Sequence, residues 1–270
     1  MRSSRLKWWL AFSFAIGSSW AVEDCRTLVE AGRKSFEDRR FEEAIKDFQK
    51  ALPLCSERLP VLVWLGQVQY LVGKEQDAEN SFTAALTIDA NHVPALYALG
   101  RLYYQQHRYP EAVERFKKVV AIEPRHHRAH DNLGLCYDAL QRDSDALRHF
   151  FKALDLVMKD NPDYDWAHAN LADFFLKRNQ FEKAFQLAAE AASRNPQSAR
   201  NAFLTGKALV KLEKHDLSLR WLEQATKLDP DYSEGWYLLA QSYRKLDRPE
   251  DGEKALARFK EANAKPRPRR

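Results

Sequence analysis

Residues 93–126 read VPALYALGRLYYQQHRYPEAVERFKKVVAIEPRH, and this stretch decides the fold. Leu96, Leu99 and Tyr103 stand at helical spacing around Gly100, and Ala112, Phe116 and Val119 repeat that spacing further on. Two helices therefore follow one another, each with an apolar stripe. Pro124 stops the second, because a proline ring cannot continue the backbone ladder.

Outward from this stretch the same pattern returns along the chain. Gly32, Gly66, Gly100, Gly134, Ala172, Gly206 and Ala240 are separated by 34, 34, 34, 38, 34 and 34 residues. Twelve positions after each stand Ala44, Ala78, Ala112, Ala146, Ala184, Ser218 and Gly252. Four further on come Phe48, Phe82, Phe116, Phe150, Ala188, Leu222 and Leu256. The physical reading is a helical hairpin with small residues where two backbones approach and large apolar ones filling the space beside them. Pro196 and Pro230 end later hairpins as Pro124 ends this one. One hairpin cannot bury both its faces, so neighbours must stack.

The pattern resembles the tetratricopeptide repeat family over residues 25 to about 264. Leu96, Leu99, Gly100, Tyr103, Ala112, Phe116 and Pro124 fit it in one repeat, and Trp236, Leu239, Ala240 and Tyr243 in the last. The expected fold is all-α, a right-handed superhelical solenoid of about seven helix-turn-helix repeats and fourteen helices. The repeats fall near 25–58, 59–92, 93–126, 127–164, 165–198, 199–232 and 233–264. Departures from the family pattern are Ser35, Pro53, the histidines His130 and His168 at a large-apolar slot, and four extra residues around Leu156 to Asp165.

Composition agrees with a helical array. Only 9 of 270 residues are glycine, which argues against an all-β fold and against phosphate-cradling loops. The net charge of +5 resides in the ends: +3 in residues 1–21 and +4 from Lys265 onward leave −2 for the body, which gives no basic face for nucleic acid. Residues 1–21 have a basic start, an apolar run from Trp8 to Gly17, and small residues at Ser19 and Ala21, the layout of a cleaved signal peptide. Ten apolar residues are too few to span a bilayer, and Val22-Glu23-Asp24 before Cys25 lacks the small residues of a lipoprotein site. The expected location is periplasmic or secreted. There, Cys25 and Cys55, at adjacent ends of the first hairpin, are expected to form a disulfide, while Cys136 reads as a buried apolar residue. Residues 265–270 are expected to be a disordered basic tail.

Catalytic signatures are absent from the sequence: there is no Gly-x-Ser-x-Gly, His-Glu-x-x-His, Cys-x-x-Cys or phosphate-binding glycine motif. His126, His127 and His130 form the one cluster with ligand-like spacing, but no carboxylate or cysteine completes it, and no metal, cofactor or catalytic residue is expected.

The resemblance implies that the first helix of each repeat lines an inner groove. Inward positions three or four apart are Arg33, Phe36 and Glu37, then Gln67 and Tyr70, then Tyr97, Arg101 and Tyr104. Later repeats offer Asp131 and Asp138, then Trp166, Asp173 and Lys177, then Arg200, Lys207 and Lys211, and last Tyr237, Gln241 and Arg244. Aromatic rings beside Arg and Gln suit an extended peptide, with Tyr97 and Arg101 standing outside the packed core. Asn132 and Asn170 are isolated matches to the residues with which some family members hold acidic chaperone tails; no three consecutive repeats supply the full set. The expected function is a non-catalytic scaffold binding a protein or peptide, monomeric or weakly self-associating, with no transmembrane segment in the mature chain and no nucleic acid. The competing class is a binder of nucleic acid or an anionic surface through the basic tail.

Overall fold

A computed structural model describes residues 24–161 and 163–265. The expected leader at 1–21 and all of the basic tail except Lys265 lie outside them. The described residues form fourteen helices and no strand. They are α1 (24–37), α2 (Phe41–Ala51), α3 (Arg58–Leu71), α4 (Glu75–Ile88), α5 (Val93–Gln105) and α6 (Tyr109–Ile122). There follow α7 (His127–Ala139), α8 (Asp143–Asp160), α9 (Trp166–Lys177), α10 (Phe181–Arg194), α11 (Ala199–Lys211), α12 (His215–Leu228), α13 (Ser233–Lys245) and α14 (Pro249–Ala264). The chain divides into two compact units, residues 1–124 with α1–α6 and residues 125–270 with α7–α14.

Each odd-numbered helix ends the same way. A residue with positive φ follows it: Arg39, Gly73, His107, Gln141, Asn179, Glu213 or Asp247. The next amide then reaches back to the last turn, as Lys74 N–H does to Gln69 O at 2.9 Å and Arg142 N–H to Tyr137 O at 2.8 Å. This left-handed cap satisfies the orphan carbonyls and turns the chain into the second helix of the hairpin. The prolines close the hairpins. Glu123, Asn195 and Asp229 precede Pro124, Pro196 and Pro230, and all three leave the helical region, with φ of −120°, −131° and −133°. Clash with the proline ring pushes the preceding residue toward extended backbone.

Within a hairpin the small and large slots interlock. Phe48, Phe82, Phe116 and Phe150 are fully buried, each with its ring against the glycine of the preceding helix. The 38-residue spacing has a simple cause: α8 has 18 residues where α4, α6, α10 and α12 have 14, so the extra residues lengthen this helix by one turn. At the start of the first unit, Cys25 and Cys55 are bonded, with Cα atoms 5.2 Å apart, beside a core of Ile45, Phe48, Val61 and Leu65. Cys136 is buried, and burial pushes its thiol up to about 12, which makes it unreactive. Among the described residues, no helix is long and apolar enough to cross a membrane.

Candidate functional site

Odd-numbered helices touch one another within each unit, α3 with α5 in the first, and α7 with α9, α9 with α11 and α11 with α13 in the second. Their outward faces therefore form a surface in each unit, made of side chains one helical turn apart.

In the first unit that surface presents guanidinium groups over aromatic rings. Arg33 lies 5.5 Å from the centre of the Trp64 ring and Arg101 lies 5.6 Å from that of Tyr70. Both arginines are exposed. Gln67 is half-buried beside them. The Tyr70 hydroxyl is enclosed without a hydrogen bond of ordinary geometry. Burial raises its pKa, and Arg101 and Gln105 oppose that rise. Trp64 and Gln105 escaped the sequence reading; only their residue type could have suggested them.

Three aromatic residues of the expected groove pack against neighbours. Phe36 is half-buried, its ring 5.9 Å from Phe41 and 5.6 Å from Trp64, in the apolar gap between the first two hairpins. Tyr97 is half-buried, 5.7 Å from Phe116, so it supports the core as well as facing outward. Tyr104 is half-buried against Tyr109 at 5.6 Å.

The second unit is polar and more internally satisfied. Asp131 is only 2% exposed. Its Oδ2 accepts hydrogen bonds from Tyr164 at 3.0 Å and Asn170 at 2.8 Å, and Arg200 in turn donates to Asn170 Oδ1 at 2.9 Å. Asn170 is thereby occupied and buried. Burial raises the Asp131 carboxyl to about 6, against the opposing pull of Asn170, Tyr164 and Arg200. The Arg200 guanidinium also lies 5.0 Å from the ring of Trp166, which is 52% exposed. Further along, Lys177 bridges Asp138 at 3.0 Å and Asp173 at 2.9 Å, and Arg178 reaches Asp138 at 2.8 Å. Burial alone would lower the Lys177 ammonium; the two carboxylates outweigh it and raise its pKa. Lys207 lies 5.7 Å from the Phe203 ring, and Tyr237 packs 5.5 Å from Phe259. Lys211, Gln241 and Arg244 are brought together in one open cleft with Glu213, His215 and Lys245.

The described histidines take part in capping and packing contacts. His126 caps α7, its Nδ1 accepting from Ala129 N–H at 3.1 Å, and His130 pairs instead with His149, their Nδ1 atoms 3.0 Å apart. His130 and His168 are both buried, His168 with an unpartnered Nδ1. Among the described residues, no three His, Cys, Asp or Glu side chains gather as metal ligands would. His215 does stand between Ser242 and Glu213, 3.3 Å from each, in the order of a nucleophile, base and acid. Ser242 is fully buried and holds Ser218 at 3.0 Å, so its hydroxyl cannot meet a substrate.

Family models for the tetratricopeptide repeat match residues 70–131 and 129–163, and a model described as anaphase-promoting complex, cyclosome, subunit 3 matches 177–259. Solved structures share the fold. A tetratricopeptide repeat protein from Parabacteroides merdae superposes with a TM-score of 0.71 at 19% identity, covering 90% of this chain and 93% of that one. Cut9–Hcn1, an APC/C hetero-tetramer, gives 0.71 at 16% identity, covering 90% and 46%. YrrB, described as a repeat protein with an unusual peptide-binding site, gives 0.52 at 20%, covering 73% and 97%. Among curated proteins, none matches. Proteins built from tetratricopeptide repeats generally serve as scaffolds for protein–protein interaction.

Proposed function

We propose that this chain is a non-catalytic adaptor that binds an extended segment of a protein partner on the α1–α3–α5 face of its first unit. The observation that carries the reading is Arg101 poised over Tyr70, repeated by Arg33 over Trp64. An exposed guanidinium resting on a ring keeps its hydrogen-bonding edge free for a carboxylate or a backbone carbonyl, and the ring limits the entropy lost on binding. Gln67 offers an amide to the same segment. YrrB, of the same fold and described as having an unusual peptide-binding site, supports peptide binding as a use of this fold. The reading includes export, supported by the leader-like residues 1–21 and by the Cys25–Cys55 bridge, which persists in oxidising compartments.

The test is Arg33→Ala/Arg101→Ala assayed against the partner recovered by cross-linking and mass identification. Both side chains are exposed, so folding should hold, and binding should weaken about tenfold or more if they act as anchors. Unchanged affinity would overturn the reading. Tyr97→Ala is the poorer probe, because it also removes support from Phe116.

A further inference from the structure

The lengthened helix α8 carries two apolar stripes where one would hold its hairpin. Ala146, Phe150, Ala153 and Val157 are buried. One position further round from each stand Leu147, Phe151, Leu154 and Met158. Phe151 is 52% exposed and Met158 62% exposed, while Leu147 and Leu154 are half-buried along the same stripe. Both exposed members depart from the repeat. The slot that follows the large apolar one is polar elsewhere, as Gln49, Thr83, Lys117 and Glu223. Met158 lies in the turn by which α8, with 18 residues, outlasts the second helices of 14.

The four side chains are spaced four, three and four residues apart. That alternation is a heptad seam, the pattern with which one helix packs along another of the same period. The seam is also its own complement. Against a second copy running antiparallel about a twofold axis, Leu147 meets the second copy's Met158 and Phe151 meets its Leu154, and each pair occurs twice. The charges beside the seam agree with this register. Arg148 then faces the second copy's Asp155, and Asp155 faces its Arg148. Within one chain Arg148 lies 2.8 Å from Asp145 and Asp155 lies 2.7 Å from Lys159, both in exposed pairs on the helix surface. Such pairs hold weakly, so both charges can turn to a second chain.

We propose that this protein forms a twofold dimer through an antiparallel α8–α8 contact along Leu147, Phe151, Leu154 and Met158, flanked by two Arg148–Asp155 pairs. Four side chains over about 16 Å of one helix make a contact at the small end of specific interfaces, so the dissociation constant is on the order of 10–100 µM. The dimer does not rest on the adaptor reading, which concerns the first unit.

The experiment is sedimentation velocity of the protein from about 1 µM to about 300 µM at low salt, a range that brackets the expected equilibrium. Wild type should dimerise within it. Phe151→Gln/Met158→Gln should raise the dissociation constant about tenfold or more. Arg148→Asp sets acid against acid and Asp155→Arg sets base against base, and each alone should weaken the dimer about fivefold. Mixed in equal amounts, these two single variants pair opposite charges at both places, and dimerisation should return to within about twofold of wild type. Circular dichroism melts separate a lost contact from a lost fold, and if the Phe151/Met158 variant unfolds, the mixture still decides. A wild type that stays monomeric throughout overturns the proposal. So does a dimer untouched by Phe151→Gln/Met158→Gln, or a mixture no better than either single variant. Flotation of monomeric wild type, but not of that variant, with phosphatidylcholine vesicles assigns the stripe to a lipid surface and overturns it as well. Arg33→Ala/Arg101→Ala should leave the dimer intact, so either reading can fail without the other.

Discussion

The ring of Phe150 occupies the space that a Cβ on Gly134 would need: its nearest carbon would lie 2.5 Å away. The same relationship joins Gly32 to Phe48, Gly66 to Phe82 and Gly100 to Phe116, at 2.6–2.8 Å. Where the first slot holds alanine the second is smaller, Ala172 with Ala188 and Ala240 with Leu256.

Gly134→Ala therefore sets two effects against each other. The exposed-helix preference for Ala over Gly is worth about 1 kcal/mol, and overpacking a closed core costs about 1–3 kcal/mol. The contact is with a fully buried ring that has nowhere to turn, so overpacking should win by about 1–2 kcal/mol. Adding Phe150→Leu should recover part of the loss. Chemical denaturation of the two single variants and the double variant measures this: coupling of about 1 kcal/mol is expected, and strict additivity would refute the interlock.

The caps give a prediction of opposite sign. Gln141 is exposed and holds φ at 58°, a conformation that costs a side-chain-bearing residue about 1 kcal/mol. Gln141→Gly should raise the melting temperature by about 2–4 °C, and Gly73→Ala, at φ 78°, should lower it by a similar amount. Melting curves in which both substitutions move the midpoint the same way would contradict this account.

These particulars show why the sequence exposes the fold more fully than the site. Interlocked slots need small residues at fixed distances from large ones, and such a constraint repeats visibly along the chain. A binding face depends on what neighbouring hairpins do with each side chain. Phe36 shares the helical stripe of Arg33, yet Trp64 from the next hairpin claims its ring. Asp131 sits at an inward position, yet Tyr164, from the connector after the lengthened α8, bonds to it. Lys177 and Lys211 hold the same slot in their repeats. Asp173 one turn back is visible in the sequence as a partner for the first, but Asp138, which reaches it from the preceding hairpin, is not.

The Cys25–Cys55 bridge closes a loop across 30 residues in the first hairpin which, among the described residues, has a neighbouring hairpin on one side only. Chain entropy assigns such a loop about 3–4 kcal/mol. Cys25→Ser/Cys55→Ser should lose stability of that order, with hydrogen exchange accelerating first in α1 and α2. Non-reducing peptide mapping should find the two cysteines in one linked peptide pair. Recovering both as free thiols would remove the bridge.

The last prediction concerns pH, through two buried groups of the second unit. Burial raises Asp131 to about 6, above the ordinary carboxylate range. Its contribution to stability is therefore complete below about pH 4 and lost as pH rises through 6. Burial lowers His168 to about 4, with Arg194 adding to the effect and Glu190 and Asp165 opposing it. Its contribution is complete above about pH 6.5 and lost as pH falls through 4. The two groups work over the same window with opposite slopes, each on the order of 3 kcal/mol across it, so in the wild type they nearly cancel. Removing either one should uncover the other. Asp131→Asn keeps an oxygen for Tyr164 and Asn170, and its stability should fall as pH drops from 6.5 to 4. His168→Leu fills the site with an apolar side chain, and its stability should rise over that same drop. Denaturant midpoints at half-unit pH steps read the slopes directly; two variants that both track the wild-type profile would show that neither group carries the shift.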